Sequence, residues 1–424
     1  MSLLSEISRT VVNAQTYTGP GGSISSFTSD ASTRVASTAI APVYSQRGAL
    51  THPAGGRVGM SSLPAFSYSG STMVLPNIFP SGAAQMLVYT QAADKTYSVS
   101  SILPIADTDN ANFCVSAISY DGTVCVFGNQ YDGANSGKMV VFRLVNSVWT
   151  RIFTASGATG SFLACSVSIS ADGATIAVGA LGQYGFVNIY SRRGNVVVLQ
   201  QTVTGLAAGM DNGGYFGRNC ALSGNGSTLV VGAPYTNAQF GSVVTYKLLN
   251  NVWSQQSILV PVGLANAGAT PEIGYSVSVD YDGVTLAIGC FNGSLQRVGG
   301  TGCVVVYTIQ AGAWEQNQTI IPFDVQTSPD PSLIGYQVSM ASNGQAISFD
   351  GYDDFGQQGG AWIFTRQANG LWSANGNKRV GTGYTITTGV PQQYGAIMSP
   401  DASVVAVLSD TYNNAGEYAF WIFA

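Results

Sequence analysis

One stretch decides the fold: Tyr215-Phe216-Gly217-Arg218-Asn219-Cys220-Ala221-Leu222-Ser223-Gly224-Asn225-Gly226-Ser227-Thr228-Leu229-Val230-Val231-Gly232-Ala233-Pro234, continued after a short polar loop by Gly241-Ser242-Val243-Val244-Thr245-Tyr246 and by Trp253-Ser254-Gln255-Gln256. A short strand runs into an Asn-Gly turn, which is a hairpin signal. An apolar run follows, then a loop bounded by glycine, a third strand ending in an aromatic residue, and a fourth strand. The same succession occurs seven times. Its turn glycines are Gly70, Gly122, Gly173, Gly226, Gly283 and Gly344, with Ala402 in the seventh copy, so the copies are spaced 51 to 61 residues apart. Four strands at such a period are propeller blades. The chain is therefore predicted to be all-β, a seven-bladed β-propeller of four-stranded blades over residues 61–424, with an extended N-terminal arm over residues 1–60.

The pattern also says why each unit needs neighbours. Three residues after each turn glycine stands a large apolar side chain or a cysteine (Met73, Cys125, Ile176, Leu229, Leu286, Ile347, Val405), and another large one follows two further on. Such a strand is apolar on both faces and must be covered from both sides, as it is when blades stack. The strand before the turn alternates large residues (Val167, Ile169; Val277, Val279) with small ones (Ser166, Ser168; Ser276, Ser278), which suits the crowded position nearest the axis. Third strands end in Tyr89, Phe142, Tyr190, Tyr246, Tyr307, Phe364 and Phe423; fourth strands carry Trp149, Trp253, Trp314 and Trp372. Bulk recurring at fixed blade positions reads as core packing rather than as sugar-stacking platforms. The seventh copy stops at Ala424, before a fourth strand. A segment of the leader around residues 43–50 is expected to supply it, because closing the ring removes an exposed edge.

Composition excludes several functions. Of 424 residues only 9% are charged, against roughly 25% in an ordinary domain, and Lys plus Arg number 16 with a net charge of -5. No basic field is available for a nucleic-acid backbone. The single histidine, His52, lies in the Ser/Thr/Gly-rich leader, so catalysis or zinc ligation through imidazole is not expected. The six cysteines show no CxxC spacing and sit in apolar strand-like runs, where they read as buried free thiols. No basic and apolar leader marks a signal peptide, and no apolar run is long enough to span a membrane.

The copy from Tyr215-Phe216-Gly217 through Val231-Gly232-Ala233-Pro234 resembles an FG-GAP repeat of the integrin-α type of propeller. Ile273-Gly274-Tyr275 and Ile334-Gly335-Tyr336 keep the glycine of its Phe-Gly position, and Val178-Gly179-Ala180 keeps part of its second motif. The resemblance spans about residues 61 to 424 and implies a propeller used in recognition. Calcium-binding members carry an acidic loop between the first two strands, since a hard cation needs several oxygens. Here that turn is Ser119-Tyr120-Asp121-Gly122, Ala171-Asp172-Gly173 or Gly224-Asn225-Gly226, which reads as a hairpin; only Asp280 with Asp282 is a candidate for a cation. No cofactor is expected.

In an up-and-down blade the first and third turns share one face of the ring, while the second connection and the links between blades share the other. The latter set is long, unequal and rich in Asn, Tyr and Asp, and recognition usually resides on such loops. Tyr131, Asp132, Tyr235, Asn237, Asn292, Tyr352, Asp353, Asp354 and Tyr412 are the candidate ligand-binding residues. That face also carries most of the acid, with Asp350, Asp353 and Asp354 the densest cluster, while the opposite turns carry Lys95, Arg143, Arg192, Arg193, Lys247 and Arg366. The leader, too poor in apolar residues to build a core, reads as an arm. The expectation is a non-enzymatic structural and recognition subunit, tied by its arm to protein neighbours in a virion or surface layer and presenting its loop face to a receptor or glycan. A free adhesin or lectin is the alternative; a propeller enzyme is the third.

Overall fold

A computed structural model describes residues 17–19, 22–24, 44–51, 63–79, 83–105, 113–264, 270–292, 301–325, 332–351, 359–381, 392–410 and 419–424. The chain divides into two compact units, residues 1–40 and 41–424. In the first, Tyr17–Gly19 and Gly22–Ile24 form a two-stranded hairpin.

The second unit is a seven-bladed β-propeller of four-stranded antiparallel sheets. Blade 1 comprises Ala65–Phe66, Thr72–Ile78, Ala84–Gln91 and Tyr97–Ile105, and blade 2 Cys114–Ile118, Val124–Asn129, Lys138–Val145 and Val148–Ser156. Blade 3 runs through Ser166–Ile169, Thr175–Ala180, Phe186–Arg193 and Val196–Thr204, and blade 4 through Asn219–Leu222, Thr228–Ala233, Ser242–Leu249 and Val252–Leu259. Blade 5 is Ile273–Val279, Thr285–Cys290, Cys303–Gln310 and Ala313–Ile320; blade 6 is Ile334–Met340, Ala346–Gly351, Gly360–Arg366 and Trp372–Ala374. Blade 7 takes Gln392–Met398, Val405–Asp410 and Ala419–Phe423 from the end of the chain and its outer strand, Gln46–Thr51, from the leader.

The register of that outer strand fixes where the leader enters. Gln46 lies opposite Phe423 and Thr51 opposite Ala419, so the strand starts at the end of the blade that holds the short turns. Just before it, the buried Tyr44 donates its hydroxyl to the carbonyl of Ala402, in the first turn of blade 7, at 2.5 Å. The chain therefore enters blade 7 from the short-turn face.

Those turns are built alike. Gly226 has φ +67, and its counterparts Gly70, Gly122, Gly173, Gly283 and Gly344 lie between +62 and +70, the left-handed region that an Asx-Gly hairpin turn requires. Ser67, Ser119, Ser170, Ser223 and Ser399 each accept the backbone N–H that opens the second strand, and in blade 5 Asp280 does so with Oδ1. The turns also join the blades in a closed backbone belt. The N–H of Tyr68 donates to the carbonyl of Tyr120, Tyr120 to Ala171, Ala171 to Gly224, Asn225 to Tyr281, Tyr281 to Ser342, Ser342 to Pro400 and Asp401 back to Tyr68, all at 2.6 to 3.0 Å.

Packing between blades follows from the doubly apolar second strands. Every residue of Thr228–Ala233 is buried; Leu229, Val231 and Ala233 meet Ala177, Val187 and Ile189 of blade 3, while Val230 meets Ile273, Ile288 and Val305 of blade 5. Trp253 and Trp372 are buried, each within the core of its blade. Two glycines set how closely blades approach. A Cβ on Gly232 would stand 2.0 Å from the carbonyl oxygen of Gly274 in the next blade, and Gly179 against Gly217 and Gly289 against Gly335 repeat the contact at 2.1 Å. The small residues of the first strands also bond across blades. Ser168 accepts the N–H of Leu222, Ser278 that of Met340 and Ser339 that of Met398.

All six cysteines are buried free thiols. Cys290 and Cys303 lie directly opposite each other across two strands. Burial pushes the Cys220 thiol up to about 11, against hydrogen bonds from Ser166 and the Gly179 backbone that lower it, so these thiols serve as apolar filling.

Candidate functional site

The first strands of the seven blades surround an axial channel of about 230 Å³. Because side chains alternate along a strand, one residue in two points to the axis, and here these are small or polar: Ser116, Ser166, Ser168, Asn219, Ser278 and Ser339 line it. The short-turn end holds tyrosines. Tyr120 packs on Tyr68 with ring centroids 5.5 Å apart and on Tyr281 at 6.1 Å, and its hydroxyl shares a hydrogen bond with Ser342 in blade 6. Burial raises the Tyr120 phenol, and the neighbouring Tyr68, Tyr281 and Asp280 add to the shift.

The long-loop end is different in chemistry. Arg218, the residue after Gly217, projects into the channel wall. Its guanidinium lies 4.8 Å over the Tyr275 ring, and Nη2 donates to the Tyr275 hydroxyl at 3.1 Å. Tyr275 stacks on Phe291 at 4.7 Å with planes 19° apart, and both rings meet Tyr336. Beside this aromatic group Glu272 is buried. Its Oε1 accepts from Asn292 Nδ2 at 3.1 Å. Burial raises the Glu272 carboxyl above the ordinary range, against hydrogen bonds from Asn292 and Tyr235 and the charge of Arg218, which lower it. Tyr235, pushed up to about 12 by burial and then by Glu272, packs edge-on against Tyr215 at 4.9 Å.

The structure therefore brings Tyr235 and Asn292, two of the residues singled out from the sequence, onto one carboxylate. The others disperse. Tyr131 stands between Phe113 and Phe162 in blades 2 and 3, with centroids at 5.3 and 5.9 Å. Asp132 is buried and forms an ion pair with Lys138 at 2.8 Å. Asn237 has φ +50 and donates its backbone N–H to Asp211 at 2.8 Å, which holds the blade 4 loop. Tyr352, Asp353, Asp354 and Tyr412 lie outside the described residues, as does His52.

Much of the acid on this face is engaged internally. Asp324 accepts from Trp362 Nε1 at 2.7 Å and from the backbone of Lys378 at 2.9 Å. Asp350, fully buried, accepts the N–H of Gln337 at 2.8 Å in its own blade and that of Gly395 at 2.5 Å in blade 7. It occupies the strand position that glycine holds in blades 2 to 5 and bridges two blades in its place. Burial raises its carboxyl to about 7, against those two backbone hydrogen bonds. Asp280 accepts the N–H groups of Val284 and Thr285 at 2.8 and 3.0 Å and so acts as the turn cap of its blade. Among the described residues no group of three or more His, Cys, Asp or Glu converges as a metal-binding set. The basic turn residues are engaged too: Arg192 donates to the carbonyls of Gly173 and Gly194, Arg143 to Asn195, and Lys247 to Ser227 and Thr228.

Arg218, Tyr275, Phe291 and Tyr336 were not among the candidates read from the sequence. One signal marks the first of them: at the head of the first strands, where Cys114, Cys165, Tyr275, Tyr336 and Tyr394 stand in other blades, Arg218 is the one charged residue. Comparison of the chain with protein-family models gave no match, and comparison with curated proteins gave none.

Proposed function

We propose that this chain is a non-enzymatic structural and recognition subunit, tied to protein neighbours in a larger assembly such as a virion or surface layer through residues 1–40 and presenting its long-loop face for binding. The observation that carries the reading is polarity. The leader joins the propeller at the short-turn end of blade 7, while the long connections and the mouth of the channel lie at the opposite end. A subunit anchored through one face and reading a partner with the other needs that arrangement. The contacts of Gly179, Gly232 and Gly289 with glycines of the next blade support, in the same spirit, the resemblance to an FG-GAP repeat, since the glycines of the Phe-Gly position, Gly217, Gly274 and Gly335, are those met.

Light scattering on material purified from its source tests the reading. A defined particle far heavier than one 44.0 kDa chain is expected, and deletion of residues 1–40, which leaves the closing strand in place, is expected to give a folded propeller that no longer enters the particle. A native monomer, or undiminished incorporation of the deletion variant, refutes it.

A further inference from the structure

Among the described residues that line the axial channel, Arg218 is the one that carries a charge. Among the described residues, no aspartate, glutamate, lysine or second arginine stands in the channel wall beside Arg218. A guanidinium has five N–H donors, and that of Arg218 makes one hydrogen bond, to Tyr275. Among the described residues no carboxylate lies within ion-pair distance of it; Glu272 is near enough to be felt, but its Oε1 is turned to Asn292. Arg218 is half-buried and none of its nitrogens is both buried and unbonded, so its remaining donors can meet an anionic group through a charge-assisted fork of hydrogen bonds.

The wall adds neutral donors. Ser168 and Ser278 each accept a backbone N–H from the next blade, and among the described residues neither hydroxyl donates to a protein atom, so both hydrogens are available to the channel. The channel has several times the roughly 30 Å³ that a water molecule occupies in the liquid. Tyr68, Tyr120 and Tyr281 meet at the short-turn end, while Tyr275 and Tyr336 line the channel at the other end. We propose that the channel is a binding site for a small anion bearing a carboxylate or oxyanion group, held by Arg218 and by the hydroxyls of Ser168 and Ser278.

The site is independent of the arm, so this inference and the assembly reading fail separately. The test is calorimetric titration of the full chain with sodium succinate, potassium phosphate and sodium sulfate in turn, with chloride as the only other anion. One saturable site per chain is expected for at least one of them. Arg218→Gln, which removes the charge, is expected to weaken it about tenfold or more, because a charge-assisted bidentate contact is lost. Arg193→Gln, at an exposed turn on the opposite face, should change it less than about threefold, the scatter of a surface charge. Succinate binding alone identifies a carboxylate site, and phosphate or sulfate binding an inorganic oxyanion site. No saturable binding by any probe, or equal binding by Arg218→Gln, overturns the proposal. Should Arg218→Gln fail to fold, selenate soaked into crystals of the unaltered chain decides: an anomalous peak beside Arg218 supports the site, and its absence there overturns it.

Discussion

Replacing Gly232 by alanine tests the view that glycine pairs set the spacing of the blades. The new Cβ would stand 2.0 Å from the carbonyl oxygen of Gly274 and 3.0 Å from its carbonyl carbon. Ordinary contact begins at 3.4 Å, so blades 4 and 5 must separate by more than an ångström at a point where both partners are backbone and neither can rotate away. A gap of 0.5–1 Å already forfeits a quarter to a half of each dispersion contact beside it, and Val230, Val243 and Ile273 line this junction. Overpacking of this kind costs about 1–3 kcal/mol where side chains can adjust; with backbone on both sides, about 3 kcal/mol or more is expected. Gly213→Ala is the control. Unlike Gly232, Gly213 has a positive φ (+79), so alanine there carries backbone strain, but its Cβ meets nothing within 4 Å, and the change should cost about 1 kcal/mol. The reduced entropy of the unfolded chain, common to both variants, drops out of their difference. For a 384-residue unit, an unfolding entropy of roughly 2 cal/mol/K per residue makes these losses about 4 °C and about 1 °C in Tm. Calorimetry and denaturant unfolding followed by tryptophan fluorescence measure both. If Gly232→Ala is no more destabilising than Gly213→Ala, the close-approach argument is wrong.

Asp350 makes stability depend on pH. Its folded value of about 7 lies above the ordinary 3.8, so its contribution is complete below pH 4, falls as the pH rises from 4 to 7, and is level above that. Asp350→Asn should flatten this part of the stability–pH curve in denaturant unfolding, and an unchanged slope would discard the assignment. Ala402 holds φ +59 at the turn position where the other blades have glycine. Ala402→Gly is therefore expected to stabilise the fold by about 0.5–1 kcal/mol, a rise of roughly 1 °C in Tm by the same entropy; a loss of stability would mean that the Ala402 methyl packs better than its backbone strain costs.

What the sequence disclosed and what it withheld divide along chain distance. The turn at Asn225-Gly226 and the apolar run of Leu229 to Val231 are local signals, and seven repetitions made them unambiguous. The leader's closing strand was legible for a related reason: the last copy ended at Phe423 and Ala424 with an edge uncovered. Ser168 looked merely small, although it bonds Leu222 in the next blade, and nothing within one repeat reveals a partner 54 residues away. Glu272 and Asn292 come together where the first two strands of blade 5 pair, and the charge of Arg218 reaches Glu272 only when blades 4 and 5 stack. Asp132 looked like an exposed loop acid because its partner Lys138 belongs to the following strand, and the fold turns the two toward each other. Charge read along a chain does not say which charges are already answered.

The backbone belt has a mechanical side. Tyr44, just ahead of the outer strand of blade 7, grips Ala402 through its hydroxyl. Its neighbour Asp401 supplies the link that joins the last blade to Tyr68 of the first. A load applied at Tyr44 would therefore arrive beside the joint where the first and last blades meet, and six further links of the same kind lead from that joint around the axis. A pull at Tyr44 would be shared around the whole circumference rather than resisted by one strand.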